Sequence, residues 1–317
     1  MTDTQNEVFK TPVNKIRLFE HGAPGSQNLK LTRKYYTEDM PDGRVKHIVQ
    51  NITDPDIVPY IPDGIGNSTD RQRIPAVLII PGGAFRRLVY NFEGEDVAKW
   101  LNSMGIAAFV LECRLPSDAH DNAEDVPLID AMRAMRVIRG RAQEFGIDEA
   151  KIGVMGFSAG GFMAALLSTA YESDVYADYK YKDEYDKLSA RPDFAVCSYP
   201  VISIDDCIEA GKRYMSEEQV LERISDSKAK ILHKYNPDKL VRPDMPPVFI
   251  CETDDDRTTL SENSVGFYMA ARKAGVSAEL HIFRTGGHGY GCGDDFAQTG
   301  EWKVLFTKWI KSIGIIS

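Results

Sequence analysis

The sequence lacks the features that mark membrane, disulfide-rich and repeat proteins. No apolar run in its 317 residues approaches the ~20 residues that cross a bilayer. Its five cysteines are odd in number and widely spaced, with no CxxC pair, which favours reduced thiols over a disulfide framework. It contains neither an internal repeat nor a low-complexity tract.

Positive charge is also scarce, with 38 Lys and Arg against 47 Asp and Glu, a net charge of −9. A general nucleic-acid binder needs a basic face to neutralise phosphates, so this balance argues against that class. The N-terminal residues contain neither the basic region nor the apolar segment of a signal peptide. These absences predict a cytoplasmic protein with no membrane or nucleic-acid partner.

What the sequence does have is a regular alternation of strand and helix patterns from residue 74 onward. Short apolar runs predict strands, and apolar residues at helical spacing predict the helices between them. The strands fall at 76–80, 106–112, 151–155, 194–199, 248–252 and 278–283, and the helices at 93–104, 127–145, 159–170, 263–273 and 302–313. We therefore expect an α/β fold, a mostly parallel central sheet with helices on both faces.

The rest of the chain is less regular, and we expect a single domain over residues 1–317. Residues 1–73 are interpreted as a lead-in with edge strands, including a strand at 45–52 and turns over 54–70. The range 171–240 holds two insertions that break the rhythm, 171–192 and 203–234, the second with an amphipathic helix near 217–224. They form either a small cap over the site edge or solvated surface excursions.

The strongest local motif is Gly156, Ser158 and Gly160 in a Gly-x-Ser-x-Gly pattern. An apolar strand precedes it and an Ala- and Leu-rich helix follows, which is the setting of a nucleophile elbow. The serine occupies a strained turn there, so the flanking chains approach closely and glycine is required. The alternative without catalysis is a glycine-rich turn in which Ser158 serves as a helix N-cap. The context favours Ser158 as a nucleophile.

A serine hydroxyl needs a base to become a nucleophile at neutral pH. Of the six histidines, only His288 lies in a glycine-rich loop after a late strand. That loop leaves the predicted sheet at the same edge as Ser158, because the carboxyl ends of parallel strands share one edge. His281 falls inside the predicted strand 278–283 and is interpreted as a sheet-face residue. His288 is therefore the candidate base.

The base in turn needs an acid that fixes its tautomer. Asp254, Asp255 and Asp256 directly follow the predicted strand 248–252, so they lie at the same edge. Three adjacent carboxylates cannot all point into one site, and the pattern by itself leaves open which of them is the acid.

A nucleophilic serine also requires N–H donors for the developing oxyanion. One candidate is the backbone of Ala159, directly after the nucleophile. The other lies in the loop after the strand 76–80, at Gly82 and Gly83. The alternative for that loop is a plain glycine turn, but both loops follow strands that we expect to be neighbours.

These motifs resemble those of bacterial acetyl xylan esterase-like proteins, in the esterase/lipase branch of the α/β-hydrolases. The resemblance covers about residues 77–291. It is carried by Ile80-Pro81-Gly82-Gly83, Phe92-Glu93-Gly94, Arg114-Leu115-Pro116, Asp130, Arg133-Ala134, Ile152 to Gly161, Arg191-Pro192-Asp193-Phe194, Tyr199-Pro200, Pro246-Pro247 and Gly286-Gly287-His288-Gly289. The chain order Ser, Asp, His is also that of α/β-hydrolases.

The resemblance implies a serine esterase that releases short acyl groups, often acetyl from sugars, with no metal or organic cofactor. It places the triad acid at Asp256, with Asp255 as runner-up. The candidate substrate-binding residues are Phe85, Phe157 and Tyr290.

The chain departs from the family pattern in the loop after the strand 76–80, where Pro-Gly-Gly-Gly-Tyr is usual. Here Ala84 and Phe85 are followed by Arg86 and Arg87. The two arginines either favour a substrate carboxylate or are solvated loop charges. Two other functions stay open, a prolyl-oligopeptidase-like peptidase and a non-catalytic binding module. The sequence does not indicate the oligomeric state.

Overall fold

The computed structural model describes residues 9, 13–65, 73–214, 216, 218, 219, 227–293 and 298–317. The strands are β1 Ile16–Arg17, β2 Lys34–Asp39, β3 Val45–Gln50, β4 Asp56–Tyr60, β5 Ile74–Ile80, β6 Leu88–Val89, β7 Ala107–Glu112, β8 Ile147–Phe157, β9 Ala195–Ser198, β10 Val248–Thr253 and β11 Ala278–Phe283. The helices are α1 Asp96–Ser103, α2 Val126–Gly140, α3 Ala142–Phe145, α4 Ala159–Ala170, α5 Ile204–Tyr214, α6 Ser227–Lys234, α7 Ser261–Lys273 and α8 Trp302–Ser312. A π-helical turn, Asn91–Glu95, leads into α1.

The main sheet has eight strands in the order β1-β4-β7-β5-β8-β9-β10-β11. From β7 to β11 all neighbours are parallel. Strand β4 runs antiparallel to β7, and β1 pairs antiparallel with β4. The predicted mostly parallel sheet is therefore confirmed. Its register aligns Ile80 with Gly156 and Phe157 with Ser198, so the loops that follow these strands meet at one edge.

The strands at the centre of the sheet form the core. Every residue of β7 is buried, as are the last six residues of β5. Parallel strands covered on both faces are uniformly apolar for this reason, which is why their sequence runs were recognisable. On the C-terminal helix α8, Trp302 and Phe306 pack edge-to-face against Trp100 and close one side of this core.

Strand β4 is the clearest departure from the sequence prediction, which interpreted residues 54–70 as turns. It pairs antiparallel with β7, with Ile57 opposite Leu111, and both Ile57 and Val58 are fully buried. Pairing with a distant strand overrides the turn-forming Asp and Pro residues around it. The predicted helix 127–145 is also interrupted, since α2 ends at Gly140 and the short α3 follows.

The first insertion, residues 171–192, joins the end of α4 to the start of β9. Its bonds run mainly to α2 and to the N-terminal segment: Arg133 pairs with Asp186 at 3.1 Å, and Tyr179 donates to the Gly22 carbonyl at 2.9 Å. The segment thus covers the flank of a helix and not Ser158. Of the two alternatives for this insertion, its position favours the surface excursion.

The second insertion, residues 203–234, follows β9 at the same edge as Ser158. It begins where Asn263 accepts the N–H groups of Ile202 and Ser203 at 2.8 and 3.1 Å. Its far end is tied by Lys234 to Asp125 at 2.7 Å. The helix predicted near 217–224 lies largely outside the described residues.

The sequence predicts no membrane-spanning segment and cysteines in the reduced state. Over the described ranges, no helix is both long and apolar enough to cross a bilayer. Of the cysteines, Cys113, Cys197 and Cys251 are buried free thiols, and Cys292 is half-buried.

Candidate active site

Ser158 lies in a strained turn between β8 and α4. Its φ and ψ are 54° and −118°, a region that side-chain-bearing residues rarely occupy. A Cβ at Gly156 would lie 1.9 Å from the Gly160 carbonyl oxygen, and one at Gly160 would lie 1.9 Å from that of Ile80. Both glycines are therefore required by close backbone approach, as the Gly-x-Ser-x-Gly pattern predicted.

The structure brings Ser158, His288 and Asp256 together in a continuous chain of contacts. Ser158 Oγ is 2.9 Å from His288 Nε2, and His288 Nδ1 is 2.6 Å from Asp256 Oδ2. These are the distances that a nucleophile, base and acid require. His281 lies within β11 beside Glu279, in agreement with its interpretation as a sheet-face residue.

Asp256 is buried and has several donors. Its Oδ1 accepts the N–H groups of Thr258 and Thr259 at 2.6 and 2.9 Å, and the Thr259 hydroxyl donates to Oδ2 at 3.0 Å. Burial on its own would raise the pKa of Asp256, but the bond and charge of His288 together with these N–H groups lower it below its ordinary value. The carboxylate is thus held ionised beside the imidazole.

Asp255, the runner-up for the acid, has a different position. Its Oδ1 accepts the N–H groups of Gly286 and Gly287 at 2.9 and 2.8 Å. These two glycines lead directly into His288 and have positive φ values of 156° and 62°. Asp255 therefore fixes the loop that carries the histidine, and Asp256 is the carboxylate that contacts the ring.

The oxyanion prediction is only partly supported. Gly82 contributes no N–H to an oxyanion, because that N–H donates to Glu93 Oε2 at 2.8 Å. Gly82 is nonetheless next to the nucleophile, since a Cβ there would lie 2.9 Å from Ser158 Cβ. The backbone N–H groups of Gly83 and Ala159 stay as the candidate donors.

Sequence reasoning missed Glu93 and Tyr199 as site residues, although both lie in blocks that carry the family resemblance. Glu93 is fully buried, and its Oε1 accepts the Tyr199 hydroxyl at 2.9 Å. The Tyr199 ring lies edge-to-face with His288, with ring centroids 5.0 Å apart. Burial raises the pKa of Glu93 above its ordinary value, against opposing effects of His288, Tyr199 and Gly82.

A small cavity lies between the loop after β5 and the start of α4. Its volume is about 10 Å³, and its lining includes Gly82, Phe85, Leu115, Ala159 and Met163. Such a volume holds about one water-sized group. Phe85 thus lies where a small substrate group could contact it, with its ring edge-to-face against Phe162 at 5.5 Å.

The other two substrate-binding predictions are wrong. Phe157 is fully buried and packs beneath the turn between Tyr199 and Trp302, at 5.9 and 6.4 Å. Tyr290 is also buried, with its ring 4.5 Å from Tyr199. Both residues adjoin the site in sequence, but their side chains point into the core.

The loop arginines also have distinct positions. Arg87 pairs with Glu38 at 2.5 Å, which favours the loop-charge alternative for this residue, and Arg86 is exposed. Ala84 and Phe85 have φ values of 57° and 60°, so the loop keeps a left-handed conformation at the position where the family usually has glycine.

The fold and site together define a class. The chain has the marks of an α/β-hydrolase. These are a mostly parallel sheet, a turn at Ser158 between a strand and a helix, and an Asp and a His in the loops after β10 and β11. Comparisons with known proteins identify the family within that class.

The BD-FAE family model matches residues 65–270. An acetylxylan esterase of Xylanibacter ruminicola is 31% identical over 240 residues, covering 75% of this chain and 45% of that protein. Endo-1,4-beta-xylanase B of Butyrivibrio fibrisolvens is 31% identical over 227 residues, covering 71% of this chain and 34% of that protein. The chain thus spans less than half the length of these curated relatives.

Among solved structures, the acetyl ester-xyloside bifunctional hydrolase of Caldicellulosiruptor lactoaceticus is 34% identical, with a TM-score of 0.69. The match covers 96% of this chain and 97% of that one. The chain belongs to the BD-FAE family and has the α/β-hydrolase fold.

Proposed function

We propose that this chain is a serine carboxylic-ester hydrolase with Ser158 as nucleophile, His288 as base and Asp256 as acid. The single observation that carries the proposal is the chain of contacts from Ser158 Oγ to His288 Nε2 at 2.9 Å and from His288 Nδ1 to Asp256 Oδ2 at 2.6 Å. Asp256 keeps Nδ1 protonated, so Nε2 is free to accept the serine proton.

The reaction then follows in two halves. Ser158 Oγ attacks the ester carbonyl carbon while His288 Nε2 takes its proton, and the oxygen that gains negative charge accepts the N–H groups of Gly83 and Ala159. When the C–O bond to the alcohol breaks, His288 returns the proton to the leaving oxygen. Water, deprotonated by His288, attacks the acyl carbonyl carbon. The bond to Ser158 Oγ then breaks, His288 returns the proton to Oγ, and the acid is released.

We assign the substrate as a short-chain acyl ester, acetyl above all, of a carbohydrate. A cavity of about 10 Å³ beside Gly82 and Ala159 would hold a methyl-sized group, which supports a short acyl chain. The names of the relatives, an acetylxylan esterase and an acetyl ester-xyloside hydrolase, support the acetyl group and the sugar. The buried free thiols of Cys113, Cys197 and Cys251 support a cytoplasmic location.

The test compares Ser158→Ala with the wild type on p-nitrophenyl esters of graded acyl length, on acetylated xylo-oligosaccharides and on peptide amides. We expect wild-type turnover to be highest on acetyl esters and to fall to background in the variant. Ser168→Ala is the matched control, because this buried serine on α4 only donates to the Ala164 carbonyl. Wild-type turnover by Ser158→Ala would refute the proposal, and faster cleavage of amides than of esters would refute the choice of ester.

A further inference from the structure

The two loops that form the candidate site come from distant parts of the chain, and a buried carboxylate joins them. One is the oxyanion loop after β5, which contains Gly82 and Gly83. The other is the histidine loop after β11, which runs from Gly286 to Gly291. Glu93 belongs to neither loop and lies in the π-helical turn that precedes α1, an element often found at functional sites.

Glu93 holds the oxyanion loop directly. Its Oε2 accepts the Gly82 N–H at 2.8 Å, one residue before the proposed donor Gly83. A side chain at Gly82 would meet the same oxygen at 2.7 Å, so the carboxylate lies flush against the loop backbone. The Gly82 and Gly83 N–H groups lie in adjoining planar peptide units that meet at the Gly82 Cα. Fixing the first unit leaves only the φ and ψ angles of Gly82 to orient the Gly83 N–H.

Tyr199 carries the connection to the histidine loop. Its hydroxyl donates to Glu93 Oε1 at 2.9 Å and accepts the Gly291 N–H at 3.1 Å. The Gly291 carbonyl accepts the indole N–H of Trp302 at 3.1 Å. Both backbone groups of Gly291, three residues after His288, are therefore bonded.

The connection is sealed from water, since Glu93 and Tyr199 are 4% and 0% exposed. With Glu93 ionised, each of the three donors has an acceptor. The Gly82 N–H and the Tyr199 hydroxyl donate to the two oxygens of Glu93, and the Gly291 N–H donates to the tyrosine oxygen. An unmatched donor at this depth is costly, because it has given up its hydrogen bond to water without gaining another. The three groups therefore favour one arrangement of both loops.

We propose that Glu93 and Tyr199 act as a positioning pair that aligns the oxyanion loop with the histidine loop across the site. The proposal rests on the proposed function, because the alignment matters only if Gly83 and His288 serve the same reaction. Neither residue contacts the substrate. Their effect lies on the transition state, where the oxyanion and the imidazolium exist together, so loss of the pair lowers kcat and leaves KM nearly unchanged.

The experiment uses Tyr199→Phe, Glu93→Gln and the double variant of the full chain. Tyr199→Phe removes one hydroxyl and keeps the ring. Glu93→Gln keeps an acceptor oxygen for the Gly82 N–H but places an NH₂ group, which is a donor, opposite the Tyr199 hydroxyl. On p-nitrophenyl acetate we expect each single variant to lose at least about tenfold in kcat, with KM within about threefold of wild type. Because both changes break one connection, the double variant stays within about threefold of the worse single variant.

Tyr179→Phe is the matched control, because its hydroxyl donates to the Gly22 carbonyl at 2.9 Å in the first insertion, which does not cover Ser158. It should lose stability in a thermal melt, as Tyr199→Phe does, and keep kcat within about twofold. A wild-type kcat in folded Tyr199→Phe and Glu93→Gln overturns the positioning pair. A rise in KM at unchanged kcat also overturns it, as does a double variant whose loss of kcat is the product of the two single losses. All three leave the proposed function intact. If Ser158→Ala keeps wild-type activity, the proposed function fails and the positioning role fails with it.

Discussion

Asp255 and Asp256 are neighbours with equal charge, and the structure predicts opposite outcomes when each becomes asparagine. In Asp256→Asn, the amide oxygen takes the Oδ1 position, because the backbone N–H groups of Thr258 and Thr259 need an acceptor there. The amide NH₂ must then face His288 Nδ1. A donor at that position forces Nδ1 to accept, so the proton moves to Nε2 and the nitrogen beside Ser158 can no longer act as a base.

The magnitude follows from this wrong tautomer. The equivalent change in a serine protease triad lowers kcat by about 10⁴, which is about 5 kcal/mol in activation free energy. Asp255→Asn keeps an amide oxygen for the N–H groups of Gly286 and Gly287 and loses only the charge, at an exposed site. We expect a loss below about tenfold there.

The assay is kcat/KM on p-nitrophenyl acetate, with thermal unfolding as a check that both variants fold. Equal losses at the two positions, or a larger loss in Asp255→Asn, would refute the assignment of Asp256 to the ring and Asp255 to the loop.

Three further substitutions test the turn, the cavity and a buried acid. Gly160→Ala should lower kcat/KM on p-nitrophenyl acetate by about 10² or more, because its Cβ would lie 1.9 Å from the Ile80 carbonyl oxygen and displace the elbow; near-wild-type activity would contradict this packing. Met163→Ala enlarges the small cavity and should raise kcat/KM for butyrate relative to acetate, by up to about 0.8 kcal/mol per methylene; an unchanged ratio would show that the acyl group binds elsewhere. Burial raises the pKa of Glu252 well above its ordinary value, so the folded state binds the carboxyl proton more tightly than the unfolded state does. The stability that this protonated carboxyl contributes is therefore lost as the pH rises above ~4.3. Glu252→Gln should therefore be more stabilising at about pH 8 than at about pH 5 in urea unfolding, and a pH-independent difference would disprove the sign.

The parts of the fold that could be predicted from the sequence are those whose cause is local. Buried parallel strands are short apolar runs, so β5, β7 and β10 were recognisable without a partner. The elbow was recognisable because Gly156 and Gly160 are both needed within a few residues of Ser158. Strand β4 was not, since its pairing with β7 involves residues about fifty positions away and its own sequence favours a turn.

The same distinction separates the site residues. Ser158 and His288 occur in distinctive motifs, whereas the choice between Asp255 and Asp256 required their bonds to separate loops. Phe157 shows the opposite error. It was a candidate for substrate binding, but alternation along the strand turns its side chain into the core. Glu93 lies in one of the blocks that carry the family resemblance, but nothing local assigned it a role, since its partners Gly82 and Tyr199 are 11 and 106 residues away.

The positions of the site loops depend on carboxylates that need not touch a substrate. Asp255 accepts two N–H groups of the histidine loop, and Glu93 accepts one from the oxyanion loop. Glycine-rich loops have few side chains with which to fix their own conformation, so a carboxylate from another element that accepts their N–H groups is an effective way to hold them. In the sequence such residues are indistinguishable from surface charges. The acidic surplus of this chain therefore includes groups whose replacement should alter kcat through the loop backbone, with the nucleophile and its base unchanged.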